Sequence, residues 1–310
     1  MQETRARILE EISAGPVSGP QLAERLGVSR AAVWKHVEAL RRDGFTVEST
    51  DAGYEVSDVP EFCGPAVAFG LDAPYEVEYH DSIDSTNSRA RALAAQGAEN
   101  VVVLADEQTG GKGRLDREWL SPSGGIWLSI LVRPAVPPTH APAYTLAAAV
   151  ATARAVRETG VEASIKWPND ILVEDRKLAG ILTEMEGEAD RVSWLVVGIG
   201  INANVDTASL PGEQPVTTLR AEVGDVNRRG LTQRLLTEFQ GLGEELDAVI
   251  PAWRDLSSTL GKAVRVETAT DEIQGEAVDV TFPGTLIVEG PAGRREVTTG
   301  DCEHLRPAED

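Results

Sequence analysis

The sequence predicts an α+β fold in three parts. A helix, a helix–turn–helix pattern and a hairpin fill roughly the first 60 residues, and apolar strands alternate with helices through the middle of the chain. Short strands separated by glycine-rich turns make up the end. Several neighbouring strands of the middle part are only a few residues apart, which favours antiparallel pairing over a doubly wound parallel sheet.

The first part has the layout of a winged helix–turn–helix. Ser18 and Gln21 have the spacing of a capping box, Gly27 marks a turn, and Ser29 caps the next helix. Asp51-Ala52-Gly53 then joins two short strands as a hairpin. The apolar residues at helical spacing are Ile8, Leu9, Ile12, Leu22, Leu26, Ala32, Val33, Val37 and Leu40.

The remaining elements follow from runs of apolar residues and from glycine and proline breaks. We predict three domains, with bounds 1–62, 63–259 and 260–310, and a linker over 58–65. The predicted central strands are 101–105, 126–132, 163–166, 171–174, 179–184 and 194–201, and the helices are 87–96, 143–159 and 232–249. The predicted C-terminal strands, which indicate a small β-barrel, are 263–267, 275–282, 285–289 and 295–299.

Composition narrows the class of protein. Apolar residues make up 42% of the 310, enough to build cores, and no uncharged run approaches the ~20 residues of a membrane span. Cys63 and Cys302 form neither a disulfide framework nor a metal-binding motif, and the charged N-terminus lacks a signal core. We therefore expect a cytoplasmic protein with no membrane association.

The charge is strongly negative, at −21, and only five of the 29 basic residues are lysines. Excess carboxylates suit a salt-rich cytoplasm, where mobile ions screen the self-repulsion, so we treat adaptation to salt as a hypothesis. Because lysine is scarce, each lysine that remains is a better candidate for a site that needs a compact ammonium.

The first motif, 106–114, has the sequence D-E-Q-T-G-G-K-G-R and follows a predicted strand. Its three glycines let backbone amides approach an anion closely, and Lys112 and Arg114 add positive charge. The spacing fits neither a Walker A loop nor a Rossmann fingerprint. A plain flexible turn is the alternative interpretation.

The second motif is Lys166-Trp167-Pro168-Asn169-Asp170, at the end of a predicted strand. An ammonium, a rigid X-Pro corner and two polar side chains are packed into five residues, which favours a functional site. The alternative is a strand-end turn in which Asn169 and Asp170 bond to the backbone.

Three further segments are candidates with strong structural alternatives. Gly180 within a predicted strand indicates close approach of a ligand, or a bulge, and the glycines of 198–204 would let a group lie flat on the sheet. The polar run 81–87 precedes a helix and is equally well explained as its N-cap.

Taken together, these segments resemble the biotin protein ligases, specifically the type that has an N-terminal DNA-binding domain and represses the biotin operon. The resemblance covers nearly the whole chain, and the Lys-Trp-Pro-Asn-Asp block is its most specific part. The residues that carry it are 85–87, Gln108, 110–114, Trp119, 166–170, 176–182 and 198–204.

The resemblance implies a winged helix–turn–helix, a central mixed-sheet α/β ligase domain and a C-terminal SH3-like β-barrel. It also implies that biotin is activated by ATP, with Mg²⁺, to biotinyl-5′-AMP. The biotinyl group then passes to a lysine of an acceptor, the biotin carboxyl carrier protein of acyl-CoA carboxylases. Operator DNA is the other implied partner, and the sequence leaves a homodimer open.

Both reactants of the first step are anionic, so the catalyst must supply positive charge where they meet. We predict that Lys166 and Arg114 are the catalytic residues. Those predicted to bind biotin are Ser85, Thr86, Asn87, Gln108, Lys112, Gly113, Arg114, Lys166 and Gly180. Those predicted to bind ATP are Gly111, Lys112, Arg114, Trp119, Asn169, Lys177 and Asn202, and Asn169 and Asp170 are predicted to orient Mg²⁺.

The third helix is the predicted DNA-contacting element, since its start would enter the major groove. The predicted contact residues are Ser29, Arg30, Ala31, Trp34 and Lys35. Residues 1–62 have seven basic and eleven acidic side chains, net −4, which disfavours non-specific DNA binding. A domain that only packs against the catalytic core is the alternative.

Two other functions stay open at this point. A lipoate or octanoate ligase or transferase would need a long apolar slot, whereas the polar side chains of 85–87 and Gln108 suit the ring of biotin. A ligand-sensing transcription factor without catalysis would not need Lys166 or an intact basic loop.

Overall fold

The computed structural model describes residues 3–210, 215–291 and 293–305. Residues 1, 2, 292 and 306–310, which the predicted terminal domains include, lie outside the described residues. The three-part α+β organisation is confirmed. No helix among the described residues is both long and apolar enough to cross a lipid bilayer.

The N-terminal part is a three-helix unit with a two-stranded wing. Its helices are α1 (Glu3–Ser13), α2 (Gly19–Leu26) and α3 (Arg30–Arg42), and its strands are β1 (Thr46–Thr50) and β2 (Gly53–Asp58). The predicted capping box at Ser18 and Gln21 is present, and Ser29 caps α3. Ile8, Leu22 and Val33 are fully buried in one small core.

The segment predicted as a linker is packed. Helix α4 (Gly64–Ala68) begins within it. Ala66 joins the core of the N-terminal unit, whereas Phe62 and Val67 join the core of the central domain. The two parts of the chain are therefore in contact at this junction.

The central domain is built on a seven-stranded sheet of order β3-β4-β5-β9-β8-β7-β6. Strand β3 pairs with β4 in parallel, and every other pair is antiparallel. The strands are β3 (Glu76–Ile83), β4 (Val101–Gln108), β5 (Ile126–Val132), β6 (Ser164–Lys166), β7 (Asp170–Val173), β8 (Arg176–Gly187) and β9 (Val192–Ile201).

Helices cover both faces of this sheet because its strands alternate between two apolar clusters. Val101 and Val103 of β4 pack with α5 (Thr86–Ala95), whereas Val102 and Leu104 face the main core with α6 (Ala141–Arg157). The remaining helices are α7 (Leu219–Val223), α8 (Arg228–Glu244) and α9 (Val249–Leu256). The helix predicted over 232–249 is present as α8 but ends five residues early, because the backbone of Glu245 leaves the helical conformation.

The C-terminal part is a five-stranded antiparallel sheet of order β13-β12-β11-β10-β14. Its outer strands β13 and β14 do not pair with each other among the described residues, so the sheet is not closed. The architecture agrees with the predicted SH3-like barrel only at the level of its class. The strands are β10 (Ala263–Glu267), β11 (Glu272–Thr281), β12 (Thr285–Gly290), β13 (Gly293–Val297) and β14 (Asp301–His304).

Candidate active site

A cavity of about 1010 Å³ lies above strands β8 and β9, below the segment that follows β4. Its volume is at the upper end of the range that small-molecule sites occupy. The start of α5 forms one wall, and the 112–120 loop forms the roof. The predicted site residues that line it are Ser85, Thr86, Asn87, Gln108, Lys112, Gly113, Arg114, Trp119, Asn169, Asp170, Lys177, Gly180 and Asn202.

One end of the cavity is a hydrogen-bonded set of neutral polar groups. Gln108 Oε1 accepts from the backbone N–H of Thr86 at 2.8 Å and from its hydroxyl at 3.0 Å. Gln108 Nε2 donates to Ser121 Oγ at 2.9 Å, which fixes the orientation of the amide. Ser129 Oγ lies 2.8 Å from Thr86 Oγ1 and 2.6 Å from Asn87 Oδ1. These hydrogen bonds hold the groups in fixed positions relative to one another.

Ser121, Ser129 and Glu184 belong to this network and were missed by the sequence analysis. Ser129 is fully buried in the otherwise apolar strand β5, and a lone hydroxyl there was the available signal. Glu184 accepts from Asn87 Nδ2 at 2.8 Å and pairs with Arg91 at 3.0 Å, so it closes the network at the cavity rim. Nothing in the spacing of Glu184 distinguished it from other carboxylates.

The start of α5 is both a helix N-cap and part of the cavity wall, the two interpretations given above for the polar run 81–87. Ser85 caps the helix by accepting from the N–H of Ser88, and Thr86 and Asn87 turn into the cavity from the first turn. The N-cap and the polar wall are therefore the same structure.

Glycines on β8 and β9 let side chains lie flat on the cavity floor. A Cβ atom on Gly200 would be 2.5 Å from Trp119 Nε1, and one on Gly198 would be 2.2 Å from Asn87 Oδ1. A Cβ atom on Gly180 would likewise be 3.2 Å from the Trp119 ring. The indole N–H of Trp119 is buried and has no hydrogen-bond partner among the described residues.

Two of the cations that line the cavity, Lys177 and Arg114, come from different elements. Lys177 Nζ, on β8, lies 2.7 Å from Asp170 Oδ1 and 5.2 Å from the centre of the Trp119 ring. Arg114 donates to Asn169 Oδ1 at 3.0 Å and to the carbonyl of Gly300 at 2.7 Å. Burial lowers the pKa of the Arg114 guanidinium from its ordinary value. Both cations are fixed by partners on other elements.

Two predicted residues lie outside this cavity. Gly111 is buried against the carbonyl of Trp119, where a Cβ would come within 2.4 Å. Lys166 lines a separate cavity of about 220 Å³ together with Cys302 and Glu303. The reason is topological: β6 is the edge strand, two strands away from β8, and it faces the C-terminal sheet. Lys166 is the register partner of Asp170 on β7, but it lines the smaller cavity, which shares Asp301 with the main one.

Asn169 and Asp170 do not fit a magnesium site as they stand. Asn169 Oδ1 accepts from Arg114, its Nδ2 donates to the Ile181 carbonyl at 2.9 Å, and Asp170 is paired with Lys177. Within the described ranges, no cluster of three or more histidine, cysteine, aspartate or glutamate side chains is arranged to hold a metal ion. We derive no chemical step through a metal held by these residues.

The predicted DNA-contacting residues lie together at the start of α3. Ser29 Oγ accepts from the N–H of Ala32 at 3.1 Å. The side chains that follow on the outer face are exposed, and Trp34 is exposed to 57%. They are Arg30, Ala31, Trp34 and Lys35.

Three family models match this chain in order. Residues 4–55 match a helix–turn–helix domain, 79–202 match the biotin/lipoate A/B protein ligase family, and 259–305 match the biotin protein ligase C-terminal domain. The matches correspond to the N-terminal helical unit with its wing, the seven-stranded sheet and the C-terminal sheet.

Relatives extend this similarity to nearly the whole chain. The bifunctional ligase/repressor BirA of Bacillus subtilis is 35% identical over 303 residues, which cover 93% of both chains. The biotin–[acetyl-CoA-carboxylase] ligase of Paracoccus denitrificans is 33% identical and covers 70% of this chain and 96% of its own. The solved biotin protein ligase of Aquifex aeolicus with biotin and ATP is 26% identical, with a TM-score of 0.64, and covers 74% and 99%.

Proposed function

We propose a two-step ligase reaction for this chain, which belongs to the biotin protein ligase family and carries the helix–turn–helix domain of its bifunctional ligase/repressor members. In the first step the biotin carboxylate attacks the α-phosphorus of ATP and expels pyrophosphate, giving biotinyl-5′-AMP. In the second step a lysine amine of an acceptor protein attacks the acyl carbon and expels AMP. The amine loses a proton as the amide forms.

One observation carries this proposal: a single cavity joins a neutral polar end to a cationic end. Thr86 and Gln108 offer donors and acceptors that match a urea-like ring, and Lys177 and Arg114 lie where anions would meet. A ring held at the polar end places its carboxylate arm toward the cations. This arrangement supports biotin over the alkyl chain of lipoate or octanoate, which would leave the polar groups unpaired.

We assign the catalytic ammonium to Lys177 and not to Lys166. Lys177 lines the cavity beside Trp119, whereas Lys166 faces the C-terminal sheet. A compact ammonium there offsets the repulsion between a carboxylate and a phosphate as they approach. Arg114 supports phosphate oxygens from the other side, and the exposed Lys112 extends the positive charge along the loop.

The ATP-binding part of the proposal uses Trp119, Asn202 and the glycine-rich loop. The unpartnered indole N–H of Trp119 is available to a nucleotide or acyl acceptor atom once the ring shifts. Mg²⁺ belongs to the proposal only as a counter-ion of the ATP phosphates, because Mg²⁺ at nucleotide sites is bound largely by the phosphates of the substrate.

The partners are part of the same proposal. The acceptor is a biotin carboxyl carrier protein of an acyl-CoA carboxylase, and the helix–turn–helix unit binds operator DNA through the start of α3. A homodimer would bind a two-fold symmetric operator, and we place the protein in the cytoplasm.

Release of pyrophosphate from ATP tests the enzyme function. We expect release that depends on biotin, produces biotinyl-5′-AMP and is not supported by lipoate or octanoate. Release that lipoate supports equally would make the chain a lipoate ligase. Tight biotin binding with no release in the presence of ATP would make it a sensor without catalysis.

A further inference from the structure

Trp34 stands out on the outer face of α3. It is exposed to 57%, and among the described residues of the N-terminal unit it is the only large apolar side chain that is exposed. The neighbouring positions Val33 and Val37 are fully buried and supply the core contacts of this helix. Trp34 therefore contributes little to the packing of its own domain.

The surroundings of Trp34 fit a nucleic-acid groove. Arg30 and Lys35 are exposed beside it, and Ala31 precedes it by one turn. The nearest carboxylate on the next turn, Glu38, is paired with Arg41 at 2.6 Å. The face thus presents one apolar ring between two positive charges that have no ion-pair partner among the described residues, close to the helix end that enters the major groove.

We infer that Trp34 contacts the 5-methyl group of a thymine in the operator. This inference rests on the DNA binding proposed above and names the chemistry of one contact. In the major groove, thymine is distinguished from the other bases by this methyl group, which is read by apolar side chains. An indole has one N–H donor and no acceptor, and most of its surface is apolar, so its face matches the apolar methyl group.

Because the N-terminal unit has a net negative charge, an apolar contact would contribute a larger share of its affinity for DNA. Residues 1–62 have a net charge of −4, so few phosphates can be neutralised, and salt weakens those contacts further. Burying a methyl group against a ring is not screened by ions. Specificity that depends on Trp34 therefore survives at ionic strengths where phosphate contacts fail.

Deoxyuridine, which lacks only the methyl group, provides the test. A high-affinity duplex is first selected with the full chain from a random pool, in the presence of biotin and ATP. Each thymine is then replaced in turn by deoxyuridine, and affinity is measured for the unaltered protein, Trp34→Ala and Arg30→Ala. Circular dichroism verifies that both variants keep their helices.

We expect the unaltered protein to lose about fourfold in affinity at one thymine per half-site, the value of one buried methyl group. Trp34→Ala should bind both duplexes equally, whereas Arg30→Ala should bind more weakly but keep the fourfold difference. The difference should not change between about 0.05 and 0.2 M KCl, although overall affinity falls.

Two results would overturn the inference. If Trp34→Ala keeps the methyl dependence, or if no thymine shows one, DNA binding stands and Trp34 does not read a thymine. If no duplex is enriched at all, the proposed repressor function fails as well.

Discussion

Lys177 and Lys166 offer a direct test at the scale of single residues, since only Lys177 lies in the main cavity. We expect Lys177→Met to lower the rate of biotinyl-5′-AMP formation by about 10²–10³-fold, as for removal of one charge-stabilising donor. Lys166→Met is the matched control and should change the rate only a few-fold. Single-turnover pyrophosphate release measures both.

The opposite ranking of the two variants would return the catalytic role to Lys166. A loss of similar size in both would mean that the two cavities join when substrates bind. Folding of each variant is checked by its unfolding midpoint, because Lys177 also pairs with Asp170.

Residue identity alone selected most of the predicted residues that line the cavity, but it did not show which of the two lysines lies there. Lys166 and Lys177 lie on the two strands that flank β7, and both stand beside polar residues in the sequence. Which one faces the cavity depends on the order of strands, with β6 at the edge and β8 in the interior. That order is a tertiary property that no local pattern reports.

At the scale of elements, the apolar strand 126–132 and the alternating strand 263–267 were predicted to the residue. Strands β3 and β14 were missed because each is an edge strand in which charged and apolar residues mix. Because β14 was not predicted, two contacts of the site were missed as well. Arg114 donates to the carbonyl of Gly300, just before β14, and Arg117 donates to Asp301 at its start.

Strand β14 also carries a titratable contact with the central domain. Thr259 is fully buried. Its hydroxyl oxygen accepts from the backbone N–H of Trp167 at 2.9 Å, and His304 Nε2 lies 3.0 Å from the same oxygen. The hydroxyl proton of Thr259 is thus free to be donated to a neutral imidazole. Burial, aided by Lys262 and Lys166, lowers the pKa of His304 to about 4.

This contact predicts a loss of stability in mild acid. The unfolded chain takes up a proton at His304 near pH 6.5, while the folded chain does so only near pH 4, so folding is progressively disfavoured as pH falls through this window. We expect His304→Gln to flatten the dependence of the free energy of unfolding on pH between about 7 and 5. Urea denaturation at several pH values measures it, and parallel curves would show that His304 does not contribute.

At the scale of the whole molecule, Arg228 holds the segment that connects the helix–turn–helix unit to the ligase domain. It is only 11% exposed, pairs with Glu61 at 2.6 Å and with Asp106 at 2.8 Å, and stacks 4.2 Å from the Phe62 ring centre. Asp106 lies in β4, the strand that also contains Gln108 of the cavity. Although burial opposes ionisation, hydrogen bonds from Ser123 and Arg228 lower the pKa of Asp106.

Removing this guanidinium should uncouple the two units. We expect Arg228→Met to lower the free energy of unfolding by about 1–3 kcal/mol, because a half-buried carboxylate loses its partner. In calorimetry a separate transition of the N-terminal unit should appear at lower temperature. Arg220→Met, which removes an exposed pair with Asp225, is the control and should leave one transition. One unaltered transition in Arg228→Met would show that the apolar contacts of 62–67 suffice.

The net charge of −21 acts on the molecule as a whole and predicts the sign of its response to salt. Added KCl shortens the screening length from about 30 Å at 0.01 M to about 3 Å at 1 M, which relieves repulsion among the carboxylates. The ion pairs that salt weakens are mostly at the surface, as with Arg25–Glu11 and Arg295–Asp271, and such pairs contribute little. The free energy of unfolding in urea should therefore rise across this range, and NaCl should act like KCl because screening depends on ionic strength. Equal stability in dilute buffer and at molar salt would show that the carboxylates are too far apart to repel one another, and would remove the case for adaptation to salt.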